Sequence, residues 1–178
     1  MSDDVSLKAW LALSLIRGLS GDSARRLLTE FGSPEAVFAA SSLSLKSFAK
    51  PEVVNAITQG IQEELIHPVF NWLEDNHNHI VTLADIDYPQ ALLNICDPPL
   101  LLYIKGRLDL LNQAALSIVG SRHATPQGIN NAEAFAESLS AAGLGIISGM
   151  AHGHRCGSPS RGVKGAWQQH RGGRNGSG

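Results

Sequence analysis

Hydrophobic positions in the first part of the chain recur at helical spacing, and further on they contract into short β-branched runs bounded by glycine and proline. Leu7, Trp10, Leu11 and residues 14–16 make one amphipathic segment, broken at Gly18-Leu19-Ser20-Gly21. Ser20 or Asp22 can cap a second helix that carries Ala24, Leu27 and Leu28 and stops at Gly32. Ser33-Pro34-Glu35 is a start signal for a third helix. From Pro51 to Trp72 a stripe of Val54, Ile57, Ile61, Leu65 and Val69 reads as continuing helix. Beyond it, residues 80–83 and 100–105 are candidate strands. They are separated by a turn at Asp87-Tyr88-Pro89 opening a short helix, and by Asp97-Pro98-Pro99, which forces extended chain.

The pattern then becomes more specific. Residues 115–119 form an apolar run ending at Gly120 and read as a buried parallel strand. Pro126 opens a helix with Ala132, Phe135, Ala136 and Leu139 at helical spacing and Gly143 at its C-cap, and residues 145–148 read as the next strand. Strand, loop, helix and strand in that order make a βαβ unit. The turn Gly120-Ser121-Arg122 then falls at the carboxyl end of a strand, where open α/β sheets bind ligands. Backbone amides of Gly120 and Ser121 can face an anion there, and the planar fork of Arg122 can grip a phosphate.

Charge narrows the functional classes. Five of the fourteen Lys and Arg and none of the sixteen acidic residues lie in 154–178, which leaves residues 1–153 with nine cations, sixteen acids and a net charge of −7. Nucleic-acid binding therefore needs a local patch around Arg122 rather than a generally basic surface. No apolar run approaches a membrane span and the N-terminus lacks the pattern of a signal peptide, so a cytoplasmic protein with no membrane contact is expected. Cys96 and Cys156 lack metal or disulfide spacing and read as free thiols. His77-Asn78-His79 has no third ligand nearby and reads as loop rather than metal site. No catalytic residue, metal or cofactor is expected.

Val119-Gly120-Ser121-Arg122, Thr125-Pro126-Gln127-Gly128 and Ser148-Gly149-Met150-Ala151-His152-Gly153 together resemble the signature of the DprA (Smf) family, the DNA processing proteins of natural transformation. Gln127 stands where family members often carry tyrosine, so no aromatic contact is expected at that position. The Tyr-Pro and Pro-Pro steps before residue 100 are similar to the family's lead-in to its Rossmann-like domain. The similarity is strong over residues 79–153 and weak over the helical start. The helix, Gly-x-x-Gly turn and helix there look like a helix-hairpin-helix (SAM-like) module, whose hairpin amides can contact a DNA phosphate. The bland alternative, a helical packing module that touches no DNA, is favoured because acids offset Arg17, Arg25 and Arg26.

The expected architecture is α/β: a helical module over 1–75, the N-terminal part of a Rossmann-like parallel sheet over 76–153, and a basic glycine-rich tail over 154–178. The resemblance implies a non-enzymatic protein that binds single-stranded DNA and helps load RecA recombinase onto it during uptake of transforming DNA. It assigns Gly120, Ser121, Arg122, Gly128, Ser148 and Gly149 to the DNA or phosphate site. It also implies a homodimer in the intact family, with a dimer surface in the part lost here. The resemblance stops after Gly153, and permitted codons read one frame over restore the family's Ile-Asp-Ala-Ala continuation. A one-base insertion near codon 154 is therefore the expected origin of the tail, and a truncated, compromised sheet its consequence. A nucleotide-processing enzyme of the phosphoribohydrolase type shares this sheet, but its Pro-Gly-Gly-x-Gly-Thr-x-x-Glu stretch is absent from the sequence.

Overall fold

The computed structural model describes residues 2–120 and 125–148 and the backbone of 166–168. It divides into two compact units, Met1–Gly106 and Arg107–Gly178.

Six helices open the first unit: α1 (Ser2–Leu15), α2 (Gly21–Phe31), α3 (Pro34–Ala39), α4 (Ser42–Leu45), α5 (Pro51–Thr58) and α6 (Glu63–Leu73). Local chemistry sets most of their ends. The hydroxyls of Ser20, Ser33 and Ser41 each accept from the amide three residues on, at 3.2 Å, and so cap α2, α3 and α4. Helix α1 is not the amphipathic surface helix that its spacing predicts. Ala9, Trp10, Leu11, Ala12 and Leu13 are all buried, and five consecutive buried residues at 100° intervals mean that this part of the helix is enclosed all round. It joins two apolar clusters. Leu13 packs with Leu27, Val37, Leu45, Val53, Val54 and Ile57. Trp10, Leu11 and Ala12 pack with Ile66 and Leu101.

The continuous helix expected from Pro51 to Trp72 is two helices. Gly60, at φ +81°, ends α5 in a left-handed conformation that glycine adopts without strain. Ile57 then serves the first cluster, Ile61 and Val69 pack against the second, and Leu65 is exposed. Pro68 lies inside α6 on its exposed side, where the carbonyl of Glu64 that it leaves without a donor can turn to water.

Strands β1 (Asn78–Thr82) and β2 (Leu101–Lys105) pair antiparallel, with Ile80 opposite Tyr103. Ile80, Leu83 and Leu100 pack on the second cluster, so the first compact unit takes in this strand pair as well as the helical module expected over 1–75. The connection between the strands is pinned at several points. Thr82 donates to Asp85 from both its amide and its hydroxyl, and the buried Tyr88 hydroxyl donates to the Pro99 carbonyl at 2.8 Å.

The second unit holds β3 (Ala115–Ile118), α7 (Pro126–Ala141), β4 (Gly145–Ser148) and β5 (Ala166–Gln168) in a three-stranded sheet of order β3-β4-β5. Strands β3 and β4 run parallel, with Ala115 opposite Gly145 and Ile118 opposite Ser148. The Thr125 hydroxyl caps α7 by accepting from the Gly128 amide at 3.1 Å. At the other end of α7, the Gly143 amide reaches Ser140 and the Leu144 amide reaches Leu139. This paired closure needs the positive φ of 90° that Gly143 supplies.

Three expectations fail in this unit. Strand β3 is largely exposed rather than buried, because it lies at the sheet edge and a single helix, α7, packs on the sheet among the described residues. Phe135, expected on the inner face of α7, is 64% exposed, while Ala136 is the residue turned into the core. The tail, expected to add no strand, contributes β5, which pairs antiparallel with β4.

Candidate nucleic-acid interface

Parallel pairing of β3 and β4 puts their carboxyl ends on one edge of the sheet. Ile118 stands opposite Ser148, and the chain leaving β3 passes through exposed Val119 and Gly120 toward the amino end of α7. Of the expected site residues, the structure therefore brings Gly120, Gly128 and Ser148 to the elements that border this edge. Ser121, Arg122 and Gly149 lie outside the described residues.

The amino end of α7 is partly committed to its own cap. Pro126 has no amide hydrogen, and Thr125 already takes the Gly128 amide, which leaves the Gln127 amide as the first-turn donor without a helical acceptor. A Cβ at residue 128 would come within 3.3 Å of the Thr125 hydroxyl, so glycine there keeps the cap uncrowded. Gln127 donates from its side chain to Asn131 one turn on, at 2.9 Å, and so lies along the helix. The residue that departs from the family's tyrosine thus has a local partner.

Among the described residues of the second unit, Arg107 is the one cation, against Asp109, Glu133 and Glu137. Both its Nε and Nη2 donate to Asp109, whose carboxyl is held below the ordinary value by this hydrogen bonding. Arg107 is thus already engaged by a carboxylate.

The second candidate, the turn between α1 and α2, is built differently from a free phosphate contact. Asp97 lies against it: a Cβ added at Gly21 would meet the Asp97 Oδ1 at 2.1 Å. Arg25, on α2, donates from Nη1 to Asp97 at 2.7 Å and to the Pro98 carbonyl at 3.0 Å. The hairpin therefore fastens the segment that leads into β2. Sequence reasoning missed this Arg25–Asp97 pair, because 72 positions separate the partners and neither belongs to a motif.

His77 pairs with Asp75 through Nδ1 at 3.0 Å. No group of three or more His, Cys, Asp or Glu among the described residues is placed to hold a metal ion. Cys96 is a free, exposed thiol, and Cys156 lies outside the described residues. No helix among the described residues is long and apolar enough to cross a membrane.

Residues 79–155 match the family model described as DNA recombination-mediator protein A. The chain is 30% identical to Protein Smf of Synechocystis sp. over 154 residues, which is 81% of this chain and 38% of that protein. It is 40% identical over 72 residues to DNA processing protein DprA of Streptococcus pneumoniae, covering 40% of this chain and 25% of that protein. Against Protein Smf of Escherichia coli it is 35% identical over 82 residues, or 46% of this chain and 22% of that one. The chain thus spans well under half the length of the curated relatives it matches. The crystal structure of DNA processing protein A (DprA) from Streptococcus pneumoniae shares the fold, with a TM-score of 0.59 at 24% identity over 83% of this chain and 48% of that one. The family model matched over residues 79–155, the similar relatives and the shared fold support membership of the DprA/Smf family.

Proposed function

We propose that this chain is a DNA processing protein that binds single-stranded DNA at the carboxyl edge of β3 and β4, without catalysing a reaction, and acts with RecA in the uptake of transforming DNA. The observation that carries this reading is the parallel β3-α7-β4 unit, whose Gly120 and Ser148 ends share one edge, in a chain of this family. Arg122 is the residue assigned to grip a phosphate. The described part of the second unit is acidic and its one cation is already paired, so an anion held there needs a cation from the loop itself. Gly120, Ser121 and Gly128 shape that loop, and Ser148 and Gly149 line the same crevice. Residues 154–178 are read as out of frame, a reading supported by the family match ending at residue 155.

Binding of labelled single-stranded DNA, measured over a salt series, tests the reading. In a chain with the frame restored at codon 154, Arg122→Ala should weaken binding by about 1 to 3 kcal/mol, the usual range for a charge-assisted contact. It should also make the salt dependence shallower. Unchanged affinity and slope would remove Arg122 from the site.

A further inference from the structure

The seven lysines and arginines of the first unit fall into two groups. Lys8, Arg25 and Lys105 are held by Glu63, Asp97 and Asp75 at 2.7 to 3.1 Å. Arg17, Arg26, Lys46 and Lys50 are exposed, and no described carboxylate pairs with them. The segments outside the described residues, 121–124, 149–165 and 169–178, contain no Asp or Glu that could neutralise them. Of the three arginines that acids were expected to offset, Arg25 is thus the one bonded to an acid. Contacts within the unit gather the other four cations. The Arg26 guanidinium lies over the Phe48 ring, 5.9 Å from its centre. That ring is fixed edge-on against Phe31, and Lys46 and Lys50 stand two positions to either side of it in the turn between α4 and α5. Gly18, next to Arg17, faces the first turn of α5, where a Cβ on it would lie 3.8 Å from Val53.

We propose that this face of the helical unit is a second contact for DNA, one that holds the sugar-phosphate backbone without reading bases. The choice of DNA as the polyanion rests on the reading given above, whereas the patch itself owes nothing to the β3 and β4 edge. Exposed cations that no carboxylate holds are free to neutralise phosphates and release their counterions. Ser47, exposed beside Lys46, adds a hydroxyl of the kind that positions a backbone. Asp22 and Glu30, four positions to either side of Arg26, and Glu52 on α5 reduce the local excess of charge, so the contact is weak and sensitive to salt.

Fluorescence anisotropy of a labelled single-stranded oligonucleotide, titrated with the 178-residue chain over a salt series, tests the patch. Arg26→Gln, Lys46→Gln and Lys50→Gln combined should raise the dissociation constant about tenfold or more and flatten the slope of log affinity against log salt by about 2, at about 0.7 per phosphate contact. Glu30→Gln removes a carboxylate beside Arg26 and should tighten binding about twofold, which a folding defect would not do. Lys8→Gln changes the net charge by the same step at a cation already held by Glu63, and should leave affinity within about a factor of two. A chain that does not bind at low salt would overturn the proposal, as would a loss with Lys8→Gln equal to that of the triple variant. A triple variant that binds like the parent while Arg122→Ala weakens binding would overturn the patch and leave the β3 and β4 edge as the site. The opposite result would uphold the patch and remove Arg122.

Discussion

The two units differ in how much of their apolar sequence they bury. The unit Met1–Gly106 holds sixteen of the nineteen buried hydrophobic residues among those described, twelve of them in the two clusters that α1 joins. Among its described residues the second unit buries Leu111, Ala136 and Ile146 and leaves Leu116, Val119 and Phe135 in solvent. Yet the second unit carries the loop assigned to DNA. The first unit has the means to hold itself together, whereas the second carries the proposed binding edge on a sheet of three short strands among the described residues, fewer than sheets usually have.

The largest test of this contrast sets a core truncation in the first unit beside a substitution at an exposed apolar position of the second. Leu27 is fully buried in the first cluster, so Leu27→Ala should cost about 2 to 5 kcal/mol in urea unfolding followed by far-ultraviolet circular dichroism. Val119→Ser in the second unit should leave the same transition where it was. Equal losses at the two positions would mean that the units do not differ as described.

A smaller effect is expected where the hairpin meets Asp97. Gly21→Ala forces the Asp97 carboxylate away and breaks its bond to Arg25, at a cost of about 1 kcal/mol or less, since Asp97 is largely exposed. In an Asp97→Ala background the Asp97 clash is gone and the close contact left is the movable Arg25 Nη1 at 3.0 Å, so Gly21→Ala should become neutral or slightly stabilising. A double-mutant cycle measures the difference. If the substitution costs the same in both backgrounds, the contact with Asp97 is not what requires glycine.

The smallest expected effect concerns acid stability. The His77 amide, the Lys105 ammonium and the His77 ring all hydrogen-bond to Asp75, the His77 amide being the largest influence, and hold its carboxyl well below its ordinary 3.8. A carboxyl with a lowered folded-state pKa adds stability that is complete above its ordinary pKa and is lost as the pH falls through the folded value. Asp75→Asn should therefore lower stability slightly near neutral pH and flatten its decline below about pH 4. A variant whose acid unfolding curve overlays that of the parent would show that the cluster does not contribute.

Elements whose cause lies within a few residues were legible in the sequence. Ser20 and Ser33 at helix starts and Gly32 and Gly143 as stops act through contacts to residues three to five positions away, and Pro126 opens its helix through its own fixed backbone angle. The order strand, loop, helix, strand was readable for the same reason. The break at Gly60 was not, because Val54, Ile57, Ile61, Leu65 and Val69 keep helical spacing straight across it. Spacing cannot reveal that the first two residues serve one cluster while Ile61 and Val69 pack against another.

By itself, then, the sequence determined where several of the helices start and stop, which loop follows the first parallel strand, and which family's motifs surround it. Those depend on short-range hydrogen bonds and backbone preferences that each segment carries with it. Only the tertiary structure decided that residues 9–13 of α1 are enclosed all round, that Asp97 lies against Gly21 under Arg25, that β1 and β2 pack with the helices, and that β3 stands exposed at an edge among the described strands. Each of these depends on which distant segment arrives as a neighbour, and burial is a property of that neighbourhood rather than of the residue.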